Sequence, residues 1–281
     1  MQFRSILITG GSGLIGPYLS EAAKNRGPVA TLARRGADIT CDLTDAHVVS
    51  KTALSVDPDL VIHAAAMTDV DSCERDSTAA DQINRAGTAN LVKSLPSKAT
   101  LVYISTDQVY PNRTGPHSEG AEAPVNKYGY SKLAGEDAAL LHPNAIILRT
   151  NMFGASRTTA RNSLSDFIVS NLKSGNAMTL FNDVLFSPLH MTTLADLIFE
   201  LVGKGARGIY NVGCRNGMSK ADFGIAVAKH CGLSIEPISV GLSTEISGRA
   251  PRPLDLRLDS TRVEHFLGRA QPTLRQEIRK L

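Results

Sequence analysis

The stretch "ILITGGSGLIG", residues 6–16, decides how this chain is read: a short β-branched run opens into Gly10, Gly13 and Gly16 and continues as the helical pattern "LIGPYLSEAAKNRG". At a strand-to-helix junction, glycines let backbone N–H groups approach a pyrophosphate at the helix N-terminus. Leu14 and Ile15 lie within the same turn. The spacing is GxxGxxG, not GxGxxG, and such a trio can also serve a plain tight turn. Its position directly after a chain-opening strand favours a nucleotide site.

Outward from this turn, strand-length runs ("VATLAR", "DLVIHAAA", "TLVYIST", "AIILRT") alternate with helical patterns ("AADQINRAGTANLVKSL", "YGYSKLAGEDAALL"). The alternation predicts an α/β fold, a Rossmann-type doubly wound parallel sheet covered on both faces. Beyond Thr150 the rhythm loosens into shorter segments such as "MTLF" and "GIYNVG". We therefore expect a nucleotide-binding domain over 1–150 and a smaller C-terminal lobe over 151–281 that binds substrate, with segments of the two interleaved.

With 281 residues, 42% of them hydrophobic, the chain can bury a large core. A net charge of +3, without any Lys/Arg block, gives no reason to expect a nucleic-acid surface. No apolar run reaches the ~18 residues of a membrane span, and "MQFRSILITGG" lacks a secretory core, so the cytoplasm is the expected compartment. Cys41, Cys73, Cys214 and Cys231 have neither CxxC nor Cys/His ligand spacing, and no metal site is expected.

NAD-binding sites place an acid about 20 residues after the glycine turn, where it meets the ribose hydroxyls. Here the second strand ends in Arg34 and Arg35, whose guanidinium groups suit a 2′-phosphate. NADP(H) is therefore favoured, although a solvated basic turn would look the same, and Asp38 keeps NAD(H) open. Asp42 and Leu43 are placed to meet an adenine ring, with helix capping by "CDLTD" as the alternative use. Ala64, Ala65 and Ala66 are small residues at a strand's carboxyl end, where a cofactor can approach closely. His63, inside that strand, reads as a core histidine.

Another strand ends in Ser105, Thr106 and Asp107, where a hydroxyl can polarise a carbonyl or simply make a turn. In "NKYGYSKLAGE", residues 126–136, Tyr128 and Lys132 are four apart and share a helix face; Tyr130, two from Lys132, points about 200° away and reads as a wall or packing residue. A phenol's pKa of about 10 falls toward the working range beside an ammonium. Tyr128 with Lys132 is thus a candidate proton donor and activator, although Tyr-x-x-x-Lys alone is often just a helix face.

These segments, in this order, resemble the extended short-chain dehydrogenase/reductases, and within them the dTDP-4-dehydrorhamnose reductases. "GGSGLIG", "DLTD", "HAAAMTDVDSCE", "INRAGTANL", "ISTDQVY", "APVNKYGYSKLAGE", "ILRTNMFG" and "RPLDLRLD" carry the likeness through almost the whole chain. The resemblance implies Thr106, Tyr128 and Lys132 as the catalytic trio, with Gly13 to Ile15 and Ala64 to Ala66 at the cofactor. Thr68, Thr106, Asp107, Asn151 and Arg252 complete the candidate substrate set. Two segments depart from the family: "RTNMFG" stands where those reductases have a Trp-containing "RTSWVYG", and "NDVLFSPLHMTTLADL" stands for "DQxGxPT". Asn151 at the first of these resembles nucleotide-sugar epimerases. His190, in the second, is expected to position its segment. Arg252 suits a nucleoside diphosphate or a plain surface.

The implied activity is NADP(H)-dependent reduction of a nucleotide-linked 4-keto sugar, in a homodimer if the group's habit holds. An epimerase with tightly bound NAD(P) uses the same trio, and a non-catalytic NADP-binding regulatory subunit occurs among relatives of these reductases.

Overall fold

The computed structural model describes residues 1–159 and 161–281. Its opening strand β1 (Ile6–Thr9) is buried along its whole length. The chain then alternates through α1 (Gly16–Ala23), β2 (Val29–Ala33), β3 (Ile39–Thr40), α2 (Ala46–Val56), β4 (Leu60–His63), α3 (Val70–Arg75), α4 (Ser77–Asp81), a π-helical turn over Gln82–Ala86, α5 (Gly87–Ser94), β5 (Thr100–Ile104), α6 (Lys127–Leu140) and β6 (Ala145–Thr150). The later part adds β7 (Met152–Phe153), α7 (Leu164–Lys173), β8 (Met178–Phe181), β9 (Leu185–Phe186), β10 (Leu189–His190), α8 (Met191–Gly203), β11 (Gly208–Val212), β12 (Met218–Ser219), α9 (Lys220–His230), β13 (Ile238–Gly241), β14 (Asp255–Leu256), α10 (Thr261–Leu267) and α11 (Leu274–Ile278).

Seven parallel strands form the main sheet in the order β11-β6-β5-β4-β1-β2-β3. Alternation of side chains along each strand divides the core into two layers. Ile6 and Ile8 join α1 and α8 residues such as Leu19, Leu194 and Ile198 on one face. Leu7 points the other way, toward Val49 of α2, Leu91 of α5 and Ala139 of α6. Both faces are dry, which is why these strands read as unbroken apolar runs.

"GIYNVG", grouped with the C-terminal lobe on sequence, instead supplies β11 to the main sheet. It pairs with β6 from Gly208–Ile146 to Val212–Thr150, with α8 lying between the two strands in the chain. The reason is that β6 would otherwise leave an apolar edge open, and a five-residue run with buried Tyr210 and Val212 closes it. Three small sheets, β10-β7, β12-β9-β14 and β13-β8, are built from the rest of the C-terminal half.

The strand order reverses between β1 and β4, so the carboxyl ends of these strands flank the crevice where open α/β sheets bind ligands. All four cysteines are free; Cys41, Cys73 and Cys214 are buried and Cys231 is exposed. Among the described residues, no helix is long and apolar enough to cross a membrane.

Candidate active site

At the crevice, Gly10 has φ +72° and lies so near the β4 end that a Cβ on it would sit 2.7 Å from the Ala65 nitrogen. A Cβ on Gly16 would collide with the Gly11 carbonyl oxygen, and one on Gly13 would lie 3.0 Å from that of Gly10. The turn therefore requires glycine at positions 10 and 16 and is tight at position 13. Among the described residues, no protein acceptor takes the amide N–H of Leu14 or Ile15, at the start of α1. A cradle of this kind, with free donors at a helix N-terminus, fits a dinucleotide pyrophosphate.

Arg34 and Arg35 are exposed, directly after β2. The next residue, Gly36, would place a Cβ 3.5 Å from Ser12 of the glycine turn, so the arginine pair sits beside that turn. Asp38 accepts from Thr31 N at 2.9 Å and Thr31 Oγ1 at 2.7 Å, which holds its carboxyl below the usual range. With the acid engaged and the two guanidinium groups exposed, the edge of β2 suits a 2′-phosphate better than ribose hydroxyls.

Asp42 is exposed and accepts from Thr44 N at 2.9 Å, while Asp45 caps α2 by accepting from the amides of His47 and Val48. Leu43 is buried, with its Cβ 3.1 Å from where a Gly87 Cβ would lie. Ala64, Ala65 and Ala66 are half-buried at the crevice. His63 is a satisfied core residue: Nδ1 pairs with Thr9 Oγ1 at 2.6 Å and Nε2 with Thr88 Oγ1 at 2.9 Å, and burial pushes its pKa down to about 3.

Helix α6 starts at Asn126, whose side chain accepts from Gly129 N at 2.8 Å. Its amide also donates to Pro251 O at 2.9 Å, which ties the helix start to the C-terminal segment. Gly129 and Gly135 let α6 press onto its neighbours, because a Cβ on the first would strike the Gln108 carbonyl and one on the second the Tyr103 hydroxyl. Tyr128 and Lys132 are consequently both buried, whereas Tyr130, expected as a wall or packing residue, is 56% exposed and so does not pack in the core.

The Lys132 ammonium donates to Ile104 O at 2.8 Å and lies 4.0 Å from the Tyr103 ring centroid. Burial pushes its pKa down to about 7, against the pull of Glu136. Tyr128 is raised above an ordinary phenol by burial, offset in part by the neighbouring Thr106 hydroxyl. Desolvation of the phenolate outweighs the Thr106 hydroxyl, so, against expectation, the pKa of Tyr128 is not lowered toward the working range. Tyr128 is held protonated.

Thr106 lies two residues beyond β5, where its Oγ1 accepts from Gln108 N at 3.2 Å and donates to Asp107 Oδ1 at 3.3 Å. Asp107 is buried, and desolvation pushes its carboxyl up to about 6 despite Asn151 and Lys220. Asn151 is therefore brought into the group around Thr106.

Two other expected substrate residues are engaged with protein partners. Thr68 Oγ1 accepts from Arg161 Nη1. Arg252 grips Asp71 through both nitrogens, Nη1 at 3.1 Å and Nη2 at 2.8 Å, which holds Asp71 down to about 2. Beside them lies a cavity of about 140 Å³ lined by Gln108, Phe181, Lys220, Arg249 and Arg252. Arg249 stands 5.4 Å from the Phe181 ring centroid. Lys220 and Arg249 were not found from the sequence; Arg249 had a signal in "GRAPRP", three positions before Arg252, and Lys220 had none. Three cations and one aromatic ring beside Asp107 can hold a polyanion with a planar base. His190 lies apart from this group: buried, it accepts from Thr192 N at 3.2 Å and caps α8, packed edge-on against Tyr18 and Phe153.

The family model described as "RmlD substrate binding domain" matches residues 4–281. The probable low-salt glycan biosynthesis reductase Agl14 of Haloferax volcanii is 30% identical over 287 residues, covering 98% of this chain and 96% of its own length. The dTDP-4-dehydrorhamnose reductase of Mycolicibacterium smegmatis is 32% identical, covering 92% of this chain and 78% of its own. A crystal structure of a dTDP-4-dehydrorhamnose reductase from Clostridium acetobutylicum is similar with a TM-score of 0.89 at 25% identity, over 98% of this chain and 97% of that one. The chain belongs to the RmlD substrate-binding-domain family of the extended short-chain dehydrogenase/reductases.

Proposed function

We propose that this protein is an NADP(H)-dependent reductase of the 4-keto group of a nucleotide-linked deoxysugar, supplying precursors for polysaccharide or glycoconjugate synthesis. One observation carries the reading: Tyr128 and Lys132 are buried beside Thr106 on the same sheet edge as the glycine turn. The similarity to reductases in two organisms supports it.

In this reading Gly10, Gly13, Leu14, Ile15 and Gly16 cradle the pyrophosphate, Arg34 and Arg35 hold the 2′-phosphate, Asp42 and Leu43 border the adenine, and Ala64 to Ala66 line the path toward the nicotinamide. When bound, the cofactor supplies a hydride to the keto carbon. Tyr128 gives its proton to the forming alkoxide, and Thr106 donates a hydrogen bond to the same oxygen. Reduction consumes a proton, so a phenol held protonated suits this direction. Lys132 holds the nicotinamide-ribose hydroxyls and stabilises the phenolate left behind.

The sugar sits near Thr68, Asp107 and Asn151, and its diphosphate meets Lys220, Arg249 and Arg252. Residues 151–281, apart from β11 and α8, which they lend to the main sheet and its face, form the substrate lobe. The protein works in the cytoplasm as a homodimer.

The test is to mix pure protein, NADPH and a panel of dTDP-4-keto-6-deoxyhexoses. Oxidation of NADPH above background on at least one is expected, and none on any contradicts the proposal. Cofactor that stays bound through purification, with no net NADPH consumption, marks an epimerase. A stoichiometric enzyme partner whose activity is untouched by Tyr128→Phe marks a regulatory subunit.

A further inference from the structure

Behind Lys132 lies a buried ion pair that the proposed reaction does not use. Glu136 follows Lys132 by four residues and Tyr128 by eight, so all three lie along one face of α6. Arg149 of β6 donates to its carboxylate through Nε, at 3.1 and 3.0 Å to the two oxygens, and through Nη2 at 2.6 Å to Oε2. Both side chains are 1% exposed. Arg149 is itself fixed by Tyr110 OH at 3.1 Å and Glu119 O at 2.7 Å. Ser105 Oγ donates to Glu136 Oε1, and the residue before it, Ile104, accepts from the Lys132 ammonium. β5 and α6 are thus tied twice, in opposite donor directions, immediately before Thr106.

We propose that Glu136 is a positioning residue for Lys132: clamped by Arg149 and Ser105, its carboxylate keeps Lys132 a cation and holds it on the end of β5, beside the proton donor. This rests on the reading of Lys132 given above. Among the described residues, the other groups that face Lys132 supply no negative charge. From β4 comes His63, neutral and held by two threonines; from β5 comes the Tyr103 ring; from α6 comes protonated Tyr128. Burial drives the Lys132 proton off and Glu136 retains it. The arginine has a separate effect: by pairing with Glu136, it makes a carboxylate tolerable at this depth.

The experiment is a 13C NMR titration of protein labelled at lysine Cε, with the Lys132 signal assigned by its loss in Lys132→Met. In Glu136→Gln the Lys132 midpoint is expected to move to lower pH by at least about one unit, the effect of losing one nearby opposite charge. The alkaline limb of kcat/KM for NADPH oxidation moves the same way, since Lys132 is then deprotonated earlier as pH rises. An unchanged Lys132 midpoint overturns the proposal, even if activity falls uniformly with pH, because that is the signature of a merely structural residue. If Glu136→Gln leaves Arg149 too poorly paired to fold, Glu136→Gln/Arg149→Met removes both charges; the lost repulsion from the arginine makes the expected move to lower pH smaller, and an unchanged or raised midpoint overturns the proposal. The titration needs no substrate. A chain that reduces no sugar but shows the shift would refute the proposed reaction and leave this inference standing.

Discussion

The Asn151 side-chain amide donates to Asp107 Oδ2 at 2.7 Å, joining the first residue after β6 to the turn that carries Thr106. The carboxyl it touches is buried and raised to about 6. A carboxyl raised on folding contributes stability that is complete below its unfolded pKa, about 3.9, and lost as pH rises through its folded value. Asp107→Asn removes that loss. The variant is expected to exceed the wild type at pH 8 by up to about 3 kcal/mol, a net figure that already contains the pull of Lys220 on the wild-type carboxylate, with the gap closing toward pH 4. Denaturant midpoints at the two pH values check this; a gap independent of pH contradicts it.

Gly10→Ala places a Cβ 2.7 Å from the Ala65 nitrogen at a residue with φ +72°. A loss of about 2 kcal/mol or more and failure to bind NADPH are expected. Gly120→Ala is the control, because nothing lies within 4 Å of its added Cβ. Thermal melts with and without NADPH separate the two: only the control should keep its cofactor-dependent shift.

Arg34 and Arg35 bear on the choice of cofactor. Replacing both with alanine is expected to weaken NADPH by about tenfold or more while NADH changes little, since a guanidinium pair serves only the 2′-phosphate. Dissociation constants for both cofactors measure it. Equal weakening of the two would move the arginines away from the 2′-phosphate.

Lys220, at the first position of α9, lies within electrostatic reach of Asp107 and lines the cavity with Arg249 and Arg252. Lys220→Met is expected to raise KM for the nucleotide sugar by about tenfold with kcat much less affected, as when uniform binding is removed. Steady-state kinetics decide this; a fall in kcat at unchanged KM would assign Lys220 to the chemical step instead.

The sequence was most legible where spacing along one element carries the information. The glycine turn needs only its strand-to-helix context, and Tyr128 is matched to Lys132 by helical period alone. The same period reaches Glu136, yet nothing local tells that it is clamped by Arg149 on β6 and Ser105 just after β5. Lys220 was invisible for the same reason, since its relation to Asp107 spans more than a hundred residues. Tyr128 illustrates a further limit: its pairing with Lys132 was legible, but its protonation follows from burial, which only the packed fold defines. "GIYNVG" looked like a lobe segment because its role depends on the open edge of β6 and not on its own pattern.

Transfer of the label from 4-deuterated NADPH to a dTDP-4-keto-6-deoxyhexose tests the central claim most directly. The account predicts one deuterium at C4 of the product sugar, and a single-turnover rate in Tyr128→Phe lower by about 10²- to 10⁴-fold with NADPH binding retained. A product without deuterium at C4, or a Tyr128→Phe enzyme that transfers it at the wild-type rate, would contradict it.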